Sequence, residues 1–290
     1  MFKFRLSSSC SATLLIALSL AAPAHALSDR AFVSGHGTDA AGCGAATKPC
    51  RTLQFVHDSV IAAGGEIDIL DSAGYGPVTI AKALSIVNDG ATAGVQQGHA
   101  GRFAITINAA ESDAVSLRGL TIDGLGTGSS GIVLNSGGSL TITHCFVRNF
   151  AGDGILLLPT VRNLFVIADT VVSDNSLFGV FVNPQPPGSA SGTLDHVVMS
   201  RNGQGGLCNC PFDASVGSNV TAVESTASNS IAGSGFAVAR AFLQLAHSTA
   251  VLNHVGVDVV APATAITFGD NHINENDTNV SGVLTAVGTQ

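Results

Sequence analysis

Ile142-Thr143-His144-Cys145-Phe146-Val147 is followed 25 residues later by Ile167-Ala168-Asp169-Thr170-Val171-Val172, with apolar or small residues at the same first, fourth and sixth places. Counted as positions 0, +3 and +5, this motif occurs seven times. It reads Leu117-Leu120-Ile122, Ile142-Cys145-Val147, Ile167-Thr170-Val172, Leu194-Val197-Met199, Val223-Thr226-Ser228, Leu245-Ser248-Ala250 and Phe268-Asn271-Ile273. The steps of 25, 25, 27, 29, 22 and 23 residues are each one turn of a solenoid. A single turn of that size cannot bury its own inner face, so neighbours must stack on it.

Two further columns keep the same period. Gly154, Gly179, Gly206 and Gly235 each stand twelve residues after position 0 and precede Ile155, Val180, Leu207 and Phe236, which predicts a turn of unusual dihedrals before a second inward strand. Asn175, Asn202, Asn253 and Asn276 each stand eight residues after position 0. Stacked amides at a turn can bond up and down their column, so these asparagines read as structural.

Ahead of the repeats, residues 1–26 carry Lys3 and Arg5, an apolar run from Ala12 to Ala22 and Ala24-His25-Ala26, the layout of a secretory signal peptide with a small-x-small cleavage site. The run is short for a membrane span. Loss of Lys3 and Arg5 would leave 10 basic residues against 20 acidic, a balance that argues against nucleic acid and anionic membrane as partners. Only 11% of residues are charged while 46% are hydrophobic, as for a chain that buries much of itself behind a polar, uncharged exterior.

Residues 27–65 read as an entry segment: a strand at Ala31 to Val33, a Gly/Asp loop, and a short cap helix. Thr52 is its N-cap, Leu53, Val56, Val60 and Ile61 its apolar stripe, and Gly64-Gly65 its end. Residues 66–290 read as the solenoid, opening with β-like runs at Glu66–Leu70, Pro77–Ile80, Leu84–Val87 and Phe103–Ile107. Cys43 and Cys50 bracket a short loop and suit a local disulfide. Cys145 falls on an inward position as a small core residue. Cys208 and Cys210 stand in a Gly-rich loop, where a local bridge, an intermolecular bond and two free thiols all remain open.

The repeat with its Asn and Gly columns, and the entry run Phe32-Val33-Ser34-Gly35 through Pro49-Cys50-Arg51-Thr52-Leu53-Gln54, resemble the secreted right-handed parallel β-helix proteins of the pectate-lyase-like superfamily. The resemblance implies an all-β fold: a right-handed single-stranded parallel β-helix of about eight coils with a short N-terminal cap helix. It does not imply one activity, since such proteins include lyases, hydrolases, epimerases, tailspikes and adhesins.

The hydrolase motifs of that superfamily are missing: there is no Asp-Asp, Asn-Thr-Asp or Arg-x-Lys, and Gly35-His36-Gly37 lies in the entry loop. A lyase-like base would have to be an arginine of the solenoid, Arg148 or Arg201, because Lys48 and Lys82 lie in or near the entry. The residues two after position 0 are Gly119, His144, Asp169, His196, Ser225, His247 and Asp270. Strands about 4.8 Å apart would make His144, Asp169 and His196 vertical neighbours, a ladder able to supply acid and base or to hold a cation, with a polar column at a turn as the alternative. The lengthened turns 183–192 and 208–213 should project from one edge and wall a groove, with Phe212 and Asp213 as its contacts.

The reading that follows leans to binding: an exported, monomeric β-helix that meets an extracellular or cell-envelope polysaccharide, secreted or periplasmic, without cofactor, metal, nucleic acid or membrane insertion. The alternative is a polysaccharide-active enzyme, lyase before hydrolase, acting on an acidic glycan through His144, Asp169, His196, Arg148 and Arg201. Calcium enters only under the lyase alternative.

Overall fold

The computed structural model describes residues 27–288, so the expected signal peptide lies outside the described residues. Within them the chain winds through three parallel sheets of eleven, nine and nine strands. Nine turns therefore carry all three, close to the eight expected. No helix among these residues is long and apolar enough to cross a membrane.

The sheets are held in register by their inward columns. In the first sheet Ile67, Ile86, Leu117, Ile142, Ile167, Leu194, Ala222 and Leu245 pair in succession. Val95, Ile122, Val147, Val172, Met199, Ala227 and Ala250 do so in the second. Ile105, Ile132, Ile155, Val180, Leu207, Phe236 and Val257 form the third column. All are buried, and each large one contributes about 1.5–3 kcal/mol.

These pairings correct two coils of the sequence register. The inward residue of the fifth copy is Ala222, not Val223, with Ser225 and Ala227 following, and in the seventh Thr267 replaces Phe268. Both coils carry polar or small residues where larger apolar ones stand elsewhere, so hydrophobicity alone left the frame free by one residue.

Polar residues inside the corners are bonded along the axis. At the corner between the first and second sheets, Thr170 accepts from the Cys145 amide at 3.3 Å, Ser225 from Val197 at 3.1 Å and Ser248 from Ser225 at 3.2 Å. Beyond the second sheet the asparagines form the expected ladder. Asn202 Oδ1 accepts from Asn175 N and Nδ2 at 3.2 and 3.0 Å, and its Nδ2 donates to Val172 O at 3.0 Å. Ser230 interrupts the ladder, its amide donating to Asn253 Oδ1 at 3.1 Å.

The glycine column has a different cause from the one expected. None of Gly154, Gly179, Gly206 and Gly235 has positive φ. A Cβ would instead lie 2.8 Å from the ladder amide at Gly154 and Gly179 and 2.9 Å from it at Gly235, so glycine there makes room for asparagine; at Gly206 it would lie 2.6 Å from Gly235 O and 2.8 Å from Ala227 Cβ.

The N-terminal end is closed by strand β1 (Ser28–Val33) and helix α1 (Leu53–Ser59). Thr52 caps α1, accepting the Phe55 amide at 3.3 Å. The helix does not run to Gly64-Gly65. It stops at Val60, because Ile61 already pairs with Ser28 as the start of strand β2 (Ile61–Ile69). The glycines form an irregularity inside β2, with Gly64 at φ 81°, so the strand crosses the expected boundary at residue 65. Asp71 ties the entry loop down, accepting from the Gly35 amide and the Ser34 and Tyr75 hydroxyls at 2.7, 2.6 and 2.5 Å. These donors pull its carboxyl down to about 2. Cys43 and Cys50 are bonded, as are Cys208 and Cys210. Cys145 is free and buried, its thiol pushed up to about 11 by burial, which leaves it inert.

Candidate functional site

The turn from first to second sheet is made by single residues in the left-handed region: Gly119, His144, Asp169, His196, Glu224 and His247, at φ 72°, 54°, 48°, 52°, 48° and 47°. Such a turn throws the side chain outward, so successive coils stack imidazoles and carboxylates. Glu224 occupies the place that the sequence register assigned to Ser225. The shift by one residue turns an interrupted column into a nearly continuous His/acid alternation.

The rungs are His144–Asp169 at 3.8 Å, His196–Glu224 at 2.5 Å and His247–Asp270 at 3.3 Å. The Asp195 hydrogen bond, then the Glu224 charge, hold the His196 pKa above its ordinary value. Apart from Asp270, these side chains are about half exposed or more. Among the described residues, no three His, Cys, Asp or Glu converge as metal ligands do. The ladder is a row of solvated pairs along one edge, with nothing to exclude water.

Arg148 and Arg201 lie at the other end of the second-sheet strands. His144 precedes the strand Phe146–Arg148 and Arg148 ends it, which puts them roughly 10 Å apart. Arg148 Nε bonds Asp123 at 2.9 Å and its guanidinium lies over the Phe146 ring at 5.0 Å. Arg201 grips Asp174 with two bonds of 2.6 and 2.9 Å. The five residues named for catalysis therefore do not line one cleft.

The outer face of the third sheet is different. Val133, Leu156, Phe181 and Cys208 follow one another in register along it. Phe178 lies 5.3 Å from Phe181, and Phe212 stands edge-on to Phe181 at 5.8 Å while 74% exposed. Phe212 is held out by its loop. The Cys208–Cys210 bridge closes the root, and the Phe212 amide donates to Asn183 of the preceding long turn at 2.9 Å. Asp213 accepts the Ser215 amide at 2.8 Å, and the Ser215 hydroxyl, then this amide, lower its pKa, so it also shapes this loop. Toward the cap, a hollow of about 300 Å³ is bordered by Gln54, Arg102 and Phe103.

Sequence reasoning missed Asp153, which sits between glycines in the turn into the third sheet. One carboxylate oxygen accepts the Phe178 amide at 3.0 Å, and burial pushes the group up to about 6. The raised value means that folding favours the neutral acid. Its contribution is full below the ordinary value of 3.8 and is lost as pH rises through about 6. Asp153→Asn keeps the acceptor and removes the buried charge. We expect it to stabilise the protein by up to about 3 kcal/mol near pH 8 and to do nothing near pH 4, measured by urea unfolding at both values. Equal effects at both would show that the carboxylate is not the cause.

Residues 104–277 match the family model described as "Right handed beta helix region". Among solved structures, the crystal structure of pectate lyase Pel9A superposes with a TM-score of 0.61 at 13% identity, over 90% of this chain and 78% of that one. That likeness is one of fold. No curated protein matches the chain. With more than half of its length matched and its inward columns in parallel register, the chain belongs to the right-handed β-helix family.

Proposed function

We propose that the protein is a carbohydrate-binding β-helix that holds a polysaccharide along the outer face of its third sheet. The observation that carries this is Phe212, kept 74% exposed on a bridged loop and packed edge-on against the half-buried Phe181, which in turn meets the half-buried Phe178. Aromatic rings in water are costly to expose, and sugar rings present matching C–H faces. The register of the sheet lays the half-buried Leu156 beside Phe181, so the apolar surface extends along the solenoid axis, the direction an extended polymer would take.

Binding without turnover is the favoured reading over a lyase or hydrolase. The ladder and the two arginines are split between the ends of the second sheet; Arg201 is taken up by two bonds to Asp174, and Arg148 is held through its Nε by Asp123. Export remains part of the proposal: two disulfides among the described residues suit an oxidising compartment, and residues 1–26 have the layout of a signal.

The test is retention of the mature protein on immobilised neutral and acidic polysaccharides, alongside assays for reducing ends and for unsaturated products. Phe212→Ala should weaken retention about tenfold without shifting the melting curve. Retention unchanged in a Phe181→Ala/Phe212→Ala double variant, or product released by the parent protein, would overturn the reading.

A further inference from the structure

The Cys208–Cys210 bridge serves above only as the root of the Phe212 loop. We propose that it is also a thiol-exchange site, which takes two electrons from a dithiol and opens to a thiol pair while the fold stays as it is. Only Asn209 lies between the two cysteines. A bridge that closes so short a loop removes little freedom from the unfolded chain, so stapling does not explain it.

The two bridges of the chain differ in place. Cys43 and Cys50 enclose part of the entry loop and pack into the hydrophobic core, 7% and 0% exposed. Cys208 instead lies on the outer face of the third sheet, in register between Phe181 and Ala237. Cys210, just past the end of the strand Gly205–Asn209, is half-buried. Cys210 is thus the side open to an incoming thiolate, whereas the entry bridge is sealed by the core around it. Access of this kind separates exchangeable disulfides from structural ones.

The loop has ties other than the bridge. The strand that carries Cys208 pairs on both sides, and the Cys210 amide donates to Val182 O at 3.1 Å. Asn209, fully buried between the cysteines, accepts the Ser218 hydroxyl and donates to Phe242 O at 2.9 Å. The Phe212 amide is held by Asn183 at 2.9 Å. Opening the bridge leaves these bonds in place, so the two sulfurs stay side by side and can close again. The step balances between the two reactants. One thiolate of the dithiol attacks Cys210 Sγ, the S–S bond breaks, and Cys208 Sγ leaves with the electron pair and takes up a proton. The second thiolate of the dithiol then attacks its own partner sulfur in the mixed disulfide and expels Cys210 Sγ, which is protonated in turn. The dithiol becomes a disulfide with the loss of two electrons and two protons, and the bridge gains both as a thiol pair.

The experiment equilibrates the full mature chain with graded ratios of reduced to oxidised dithiothreitol, traps thiols by alkylation in denaturant and reads each cysteine by peptide mass spectrometry. Cys208 and Cys210 should open at a ratio at least about tenfold lower than Cys43 and Cys50. A reduced two-cysteine peptide mixed with the oxidised protein under argon should be oxidised, one equivalent per chain. Cys208→Ser/Cys210→Ser should abolish the transfer and keep the parental melting temperature. Phe212→Ala should transfer as the parent does, which separates this activity from polysaccharide retention. Bridges that open together, a peptide that stays reduced, transfer that persists in the double serine variant, or a double serine variant that melts well below the parent would each overturn the assignment.

Discussion

Replacement of Val172 by Asp is expected to leave the chain without its parallel sheets. Val172 is fully buried, paired between Val147 and Met199 in the inward column of the second sheet. The substitution forfeits its apolar burial and places a carboxyl in the stack. Even if the acid stays protonated, the summed cost exceeds about 4 kcal/mol, a large part of a stability that totals about 5–15 kcal/mol in most domains. A solenoid coil has only its neighbours for support, so damage at its middle separates the two halves. With no Trp and one Tyr in the sequence, the measurement is far-ultraviolet circular dichroism through a thermal scan, with soluble yield beside it. A Val172→Asp protein melting cooperatively at the parental temperature would show that this column does not face the core.

Asn202→Ala is the second large effect, and it acts through hydrogen bonds instead of apolar area. Asn202 is 1% exposed, accepts two bonds from Asn175 and donates one to Val172 O. Alanine fits the space but leaves a buried amide N–H, a side-chain amide and a carbonyl unpaired. At about 1–3 kcal/mol for each orphaned group, we expect a loss of about 3–5 kcal/mol, read as a shift of the urea midpoint. The same substitution at Asn276 should cost less, because that residue is only half-buried near the last coil. Equal losses at both positions would mean that the ladder is not a buried network.

Particular residues show how far the sequence could be read. Ile142, Ile167 and Leu194 were legible because each is large, apolar and at a regular interval, and a wrong frame would expose them. Ala222 was not legible, since Val223 beside it is the more hydrophobic of the two, and only its pairing with Leu194 and Leu245 settles which points inward. Glu224 was missed for the same reason, and with it the alternation of acid and imidazole. The asparagines read as structural from their period alone, and they form the ladder that the period implies. The cause of the glycines beside them is not legible in sequence, because a steric contact between coils carries no mark in a single coil.

The candidate sites divide along the same line. Phe212 stood out as an aromatic in a lengthened loop, but its packing on Phe181 and Phe178 depends on two coils coming into register. Arg148 stood out as a scarce cation, but its partner Asp123 lies 25 residues away on the previous coil. The buried Asp153, raised to about 6, offered no motif beyond two flanking glycines.

By itself, the sequence determined that this chain is a solenoid, the length of its repeated turns to within one residue, which columns are inward and which amides stack, because burial and hydrogen bonding must be satisfied at every coil and so leave a periodic trace. Only the tertiary structure decided which outward side chains meet. Neighbours across a coil are 19 to 31 residues apart, and a one-residue difference in turn length, as at Ala222, changes every partnership on the surface without altering the core that the period records.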